Sequence, residues 1–103
     1  MRRWLLGTIV LFSLVGCVPS EEEIQAEFDA FTASRKSCEQ AEDCTVVTPG
    51  CPLGCYAVVA KEHAAAVEKK AHELIEDYER GGQTCDYSCT ALPEPRCNDG
   101  ECE

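Results

Sequence analysis

Hydrophobic residues recur at helical spacing in the segment EEEIQAEFDAF. The side chains that share one helical face are Ile24, Phe28 and Phe31. Ser20 and Glu23 fit the capping-box pattern S-x-x-E at the start of such a helix. The pattern therefore predicts a short amphipathic helix over about residues 21–35. This helix could dock on the rest of the fold or contact lipid or a partner, and its acidic residues favour docking.

A second helical pattern fills KEHAAAVEKKAHELIEDYERGG and predicts the longest helix of the chain. Gly81 and Gly82 supply its C-terminal stop. Glu76 and Arg80 are spaced as a favourable i,i+4 ion pair. Its apolar stripe consists of Ala64, Val67, Ala71, Leu74, Ile75 and Tyr78.

The remaining patterns are extended. Two β-prone runs, Thr45–Thr48 and Tyr56–Ala60, flank a loop rich in proline and glycine. The segment RCNDGEC predicts a tight hairpin that turns at residues 98–100. The order helix, β-hairpin, helix, β-hairpin predicts a small α+β fold.

The N-terminal segment MRRWLLGTIVLFSLVGC has the composition of a signal sequence. Arg2 and Arg3 precede an apolar run from Trp4 to Val15, which is shorter than the roughly 20 residues that span a bilayer. The motif LVGC, which ends at Cys17, resembles the lipobox of bacterial lipoproteins. That resemblance implies cleavage before the cysteine, transfer of a diacylglycerol to its sulfur, and a stable lipid anchor.

The lipobox implies a location and a division of the chain. Residues 1–16 are expected to be a removed signal peptide. Residues 17–37 are expected to form the lipid anchor and an amphipathic helical linker, and residues 38–103 an eight-cysteine domain. The protein would be held by Cys17 in the bacterial cell envelope, on the extracytoplasmic side of a membrane. In lipoprotein sorting, Val18 in place of aspartate favours the outer membrane where the cell has one.

The chain has nine cysteines, so that eight remain once Cys17 is acylated. Outside the cell membrane, eight such thiols are expected to form four disulfides, which stabilise a domain with a small core. Eight cysteines allow 105 connectivities. Two C-x3-C units flank the long helix, which favours bridges between them, with bridges inside each unit as the alternative. The favoured grouping joins Cys51 and Cys55 to Cys85 and Cys89, and Cys38 and Cys44 to Cys97 and Cys102.

Residues 38–103 resemble the uncharacterised eight-cysteine-cluster proteins of bacteria. The segments DCTVVTPGCPLGCYAVV and RCNDGECE carry this resemblance. The family lends no activity, so the resemblance implies a disulfide-rich, disulfide-stapled domain and transfers no functional residue.

Charge excludes two classes of partner. The formal net charge is −10, whereas nucleic-acid binding needs a basic face. Lysine and arginine are scattered after the signal sequence, with Lys69 and Lys70 as one short pair, so a polybasic membrane patch is not expected either.

Candidate metal and redox chemistry is weak. Zinc pairs are usually C-x2-C, and a redox pair needs C-x-x-C, which this sequence lacks. The segment HELIE departs from the zinc motif H-E-x-x-H because Glu76 stands where the second histidine would be, with Glu68 one turn before His72. His63 is isolated near the helix start. We therefore expect no metal, no cofactor and no catalytic residue.

These patterns favour a membrane-tethered module that binds an unidentified protein or small ligand, or has a structural role, rather than an enzyme. An alternative is a small protease inhibitor in which GCPLGC presents Leu53 on a rigid loop. The candidate binding loop consists of Pro52, Leu53 and Gly54. The three tyrosines, Tyr56, Tyr78 and Tyr87, are expected in the core or in an interface.

Overall fold

The computed structural model describes residues 18–103, so the signal segment and Cys17 lie outside the described residues. The fold is a small α+β structure in the predicted order of helix, hairpin, helix, hairpin. Helix α1 spans Glu21–Ala33 and helix α2 spans Ala64–Glu79. Strands β1 (Cys44–Val47) and β2 (Ala57–Ala60) form the first hairpin, and β3 (Cys97–Asn98) and β4 (Glu101–Cys102) form the second.

Helix α1 starts at the predicted capping box. The Glu23 backbone N–H donates to the Ser20 hydroxyl at 3.1 Å, and the Ser20 N–H donates to the Glu23 carboxylate at 2.8 Å. The helix ends two residues before the predicted boundary, because the Arg35 N–H closes a turn on the Thr32 carbonyl at 2.8 Å. Side chains spaced four residues apart form its buried face, which consists of Ile24, Phe28 and Thr32.

Phe31 is only partly buried, unlike Ile24 and Phe28, the other two residues of the predicted apolar face. It lies to one side of the buried face, and the Arg35 guanidinium sits 3.7 Å from the centroid of its ring. The Arg35 side chain also donates to the Phe31 carbonyl at 2.7 Å. The ring is therefore covered by a cation as well as by the core.

Helix α2 packs antiparallel to α1, since Val18 before α1 lies beside Gly81 after α2, and Lys70 donates to the Glu27 carboxylate at 2.6 Å. The predicted Glu76–Arg80 ion pair does not form. Arg80 instead contacts Asp77 at 3.0 Å, and Glu76 lies 3.3 Å from His72. All four side chains are well exposed, so solvent screening leaves little energetic preference between the alternatives. The buried face of α2 agrees with the predicted stripe at Val67, Ala71, Leu74 and Tyr78.

Both hairpins are antiparallel. In the first, the register runs from Cys44 opposite Ala60 to Val47 opposite Ala57. In the second, Cys97 lies opposite Cys102, and the turn places Asp99 at φ 52° and Gly100 at φ 80°. Two consecutive residues with positive φ are typical of a tight hairpin turn, as the sequence Asn-Asp-Gly predicts.

The main core lies between the two helices and the first hairpin. Its buried members are Ile24, Phe28, Val47, Leu53, Val59, Val67, Ala71, Leu74 and Tyr78. Helix α1 thus docks on the fold, as its acidic surroundings favoured, and it supplies two of the largest apolar side chains in this core.

Candidate functional site

Four disulfides join the eight cysteines of residues 38–103. The Cα atoms of each bridged pair are 5.5–5.9 Å apart, within the ordinary range for a disulfide. The pairing follows the grouping that the flanking C-x3-C units favoured over bridges inside each unit. The bridges are Cys38–Cys97, Cys44–Cys102, Cys51–Cys85 and Cys55–Cys89.

Two of these bridges meet and form what we call the four-cysteine cluster: Cys38, Cys44, Cys97 and Cys102. The sulfur atoms of Cys38, Cys44 and Cys102 all lie within 4.8 Å of one another. Backbone hydrogen bonds hold the cluster, since the Cys38 N–H donates to the Gly100 carbonyl at 3.0 Å and the Cys102 N–H donates to the Lys36 carbonyl at 2.7 Å. Because each sulfur is in a disulfide, none offers the thiolate that a metal ion needs.

The other two bridges tie the loop between β1 and β2 to the segment after α2. They hold a stretch, residues 83–96, that has no regular secondary structure and is largely exposed. Within it, Cys85 packs against the main core, whereas Cys89 is exposed. The disulfides therefore supply much of the order of a segment that buries little apolar surface.

The candidate binding loop turns inward. The Leu53 side chain is 5% exposed and belongs to the main core, and Pro52 is also buried. Gly50 and Gly54 form an antiparallel backbone bridge. Their φ angles of 98° and 133°, which glycine adopts readily, let the chain reverse tightly. In this structure the Leu53 side chain that GCPLGC was expected to present lies in the core, where burying a leucine is more favourable than exposing it.

A groove of about 400 Å³ lies between α1 and the first hairpin. Phe28, Leu53 and Val58 supply apolar surface to it, and Tyr56, which is 49% exposed, lies at its side. Polar and charged side chains of both signs complete its lining, namely Gln25, Asp29, Thr32, Lys36 and Glu103. A mixed apolar and polar concavity of this kind suits a small ligand or a peptide side chain.

A second cleft, of about 440 Å³, is acidic. Glu39, Glu42, Asp43 and Glu62 line it, with Lys61 as its one cation. The Asp43 carboxylate accepts hydrogen bonds from the backbone N–H groups of Glu39 at 2.9 Å and Gln40 at 3.1 Å. These bonds favour the charged carboxylate and lower the pKa of Asp43 below its usual value. Its carboxylate thus caps a local turn.

The histidines and tyrosines considered in the sequence analysis lie in separate places and do not form a shared site. His72 lies 3.3 Å from Glu76 on the exposed surface of α2, with Glu68 also exposed, and His63 lies 3.8 Å from Glu62. Tyr78 is in the core, as expected. Tyr56 and Tyr87 are exposed rather than buried, so for them only the expectation of an interface remains.

Neither the groove nor the acidic cleft could be predicted from the sequence. Both bring together residues from separate elements, and no local motif marks them. Asp43 had one local signal, because an aspartate three residues after Gln40 can accept backbone hydrogen bonds in a turn.

The comparisons give no family. No protein-family model, no curated protein and no solved structure matches this chain. Across residues 18–103, neither helix is both long and apolar enough to cross a membrane. From its element order and its four disulfides, the described part of the chain is a small, disulfide-stapled α+β domain.

Proposed function

We propose that this protein is a bacterial envelope lipoprotein, held at a membrane by acyl chains on Cys17, with a disulfide-stapled binding module. The observation that carries the proposal is the use of the cysteines. The chain has nine, and the four bridges take eight, so Cys17 is the cysteine left over. It follows Leu14, Val15 and Gly16 in the motif that resembles a lipobox.

Acylation gives the leftover cysteine a role that suits the rest of the chain. Four disulfides suit an oxidising compartment, to which the signal-like segment would export the protein. More than one acyl chain, at about 0.8 kcal/mol per buried CH₂, makes a stable anchor. The favoured location is the extracytoplasmic face, at the outer membrane where the cell has one.

A binding role suits the domain better than catalysis. The groove between α1 and the first hairpin combines apolar surface with polar groups of both signs. The histidines lie apart from it, on exposed surfaces beside carboxylates. We propose a protein or small-molecule ligand for the groove, and neither a metal nor a cofactor. The inward-facing Leu53 gives no support to the inhibitor alternative.

Comparison of the wild type with Cys17→Ser in a bacterial host tests the anchor. The wild type should incorporate labelled fatty acid and partition into detergent, and the variant should do neither. A matched control, Ser20→Ala, changes a nearby residue and should keep both properties. A Cys17→Ser protein that partitions like the wild type contradicts the proposal.

A further inference from the structure

Val18, the residue that precedes the start of α1 by three positions, packs against the C-terminal end of α2. Val18 lies next to Gly81, which follows the end of α2, and a Cβ atom built on Gly81 would overlap the Val18 side chain. Pro19 is partly buried, and Ser20 already caps α1. The chain therefore joins the fold at Val18, with no loose linker between this residue and the first helix.

This contact defines one end of the molecule. Because α1 and α2 are antiparallel, the start of α1 and the end of α2 lie together, and we call residues 18–22 and 80–82 the anchor end. The four-cysteine cluster lies toward the other end, since Cys44 is paired with Ala60 just before α2 begins. Helix α2 has 16 residues, so these two ends are separated by about 24 Å.

We infer that the domain stands end-on at the membrane, with the anchor end against the lipid headgroups and the four-cysteine cluster pointing away. The inference rests on the proposed acylation of Cys17. One peptide unit, about 3.8 Å between Cα atoms, joins that cysteine to Val18. Acyl chains in the bilayer therefore hold the anchor end at the headgroups.

The packing of α1 prevents this helix from pivoting relative to the rest of the fold. Ile24 and Phe28 hold the helix in the main core, and Glu27 contacts Lys70 of α2. Helix α1 therefore moves with the rest of the fold. In this orientation the acidic cleft, which includes Cys38 and Asp43, faces the aqueous space away from the membrane.

Tryptophan fluorescence measures the orientation directly. The only tryptophan of the chain is Trp4 in the signal segment, so the processed protein has none. Glu21→Trp places a reporter at the anchor end, and Glu42→Trp places a matched reporter near the four-cysteine cluster. Both sites are exposed glutamates, so the two variants lose the same charge.

The acylated variants are reconstituted into phosphatidylcholine vesicles that contain a lipid with a nitroxide on its headgroup. We expect both to float with the vesicles, and expect quenching of Glu21→Trp to be several-fold stronger than that of Glu42→Trp. Equal quenching at the two sites, or none at either in floating protein, overturns the orientation while leaving the anchor intact. Failure of both variants to float overturns the anchor and the orientation together.

A linker variant adds a second test. A flexible glycine–serine segment inserted between Val18 and Pro19 should keep flotation and weaken the quenching of Glu21→Trp toward that of Glu42→Trp. If the insertion leaves strong, site-selective quenching, the domain binds the membrane through its own surface and the short tether does not set its orientation.

Discussion

Leu53 lies in a loop rich in proline, glycine and cysteine, yet its side chain contacts the main core. Replacing it with alanine would leave a cavity between α1 and the first hairpin. We expect Leu53→Ala to lower the free energy of unfolding by about 2–5 kcal/mol. Urea denaturation of the oxidised protein, followed by circular dichroism, measures this change.

Tyr56→Ala is the control for Leu53→Ala, because Tyr56 lies in the same loop region but is 49% exposed. It should change the free energy of unfolding by about 0.5 kcal/mol or less. Equal stability losses in the two variants would show that the loop does not direct Leu53 inward.

Asp43 links stability to pH. Backbone N–H groups of Glu39 and Gln40 lower the pKa of its carboxylate in the folded protein. A depressed folded-state pKa contributes stability above the unfolded-state pKa, and this contribution is lost as pH falls through the folded-state pKa.

The melting temperature of Asp43→Ala should therefore lie below that of the wild type at neutral pH, and the two should converge below about pH 4. Glu42→Ala, at the neighbouring exposed position, should show no such pH-dependent difference in melting temperature from the wild type. If the difference for Asp43→Ala stays the same in acid, the charge of its carboxylate is not what stabilises the fold.

Among the structural elements, the second hairpin has the shortest strands, and the four-cysteine cluster holds it in place. The three clustered sulfur atoms are close enough for thiol–disulfide exchange after a small movement. In Cys97→Ser, the Cys38 thiolate can attack Cys102. A Cys38–Cys102 bond then forms, the Cys44–Cys102 bond breaks, and Cys44 leaves as a thiolate that takes up a proton.

We therefore expect the free thiol of Cys97→Ser to be distributed between Cys38 and a second cysteine of the cluster. Alkylation at mildly basic pH followed by peptide mass mapping locates it. In the control Cys89→Ser, whose partner Cys55 lies outside the cluster, the thiol should stay on Cys55. Labelling of Cys38 alone in Cys97→Ser would contradict exchange within the cluster.

The whole fold combines a small core with covalent cross-links. The main core of the described residues has nine buried members, and residues 83–96 add little to it. Domains of this size rarely bury enough apolar surface to offset chain entropy without cross-links. Each native disulfide typically contributes about 2–4 kcal/mol.

Reduction of residues 18–103 should therefore abolish the cooperative thermal transition of the domain and leave residual helix in α2. Thiol labelling with intact mass should count no free thiol before reduction and eight after it. Circular dichroism follows the fold. A reduced protein that keeps its cooperative transition would show that the core, with Ile24 and Phe28 of α1, is large enough to hold the fold without disulfides.

The periodic pattern of the sequence was enough to predict both helices and both hairpins. Helix periodicity, the capping box at Ser20 and the Asn-Asp-Gly turn are properties of neighbouring residues, which the chain carries whatever surrounds it. The end of α1 was predicted two residues too late because the turn between Thr32 and Arg35 competes with a further helical turn.

The candidate site was less predictable. Cysteine count and spacing favoured the correct grouping of bridges, but they left the individual partners open. The contacts of Leu53 with the core and of Val18 with Gly81, and the groove beside Tyr56, depend on how the helices and the first hairpin pack. Bridges such as Cys38–Cys97 join residues 59 positions apart. Local sequence sets the elements because their hydrogen bonds and periodicity are local, whereas packing sets the site because distant side chains meet only in the folded chain.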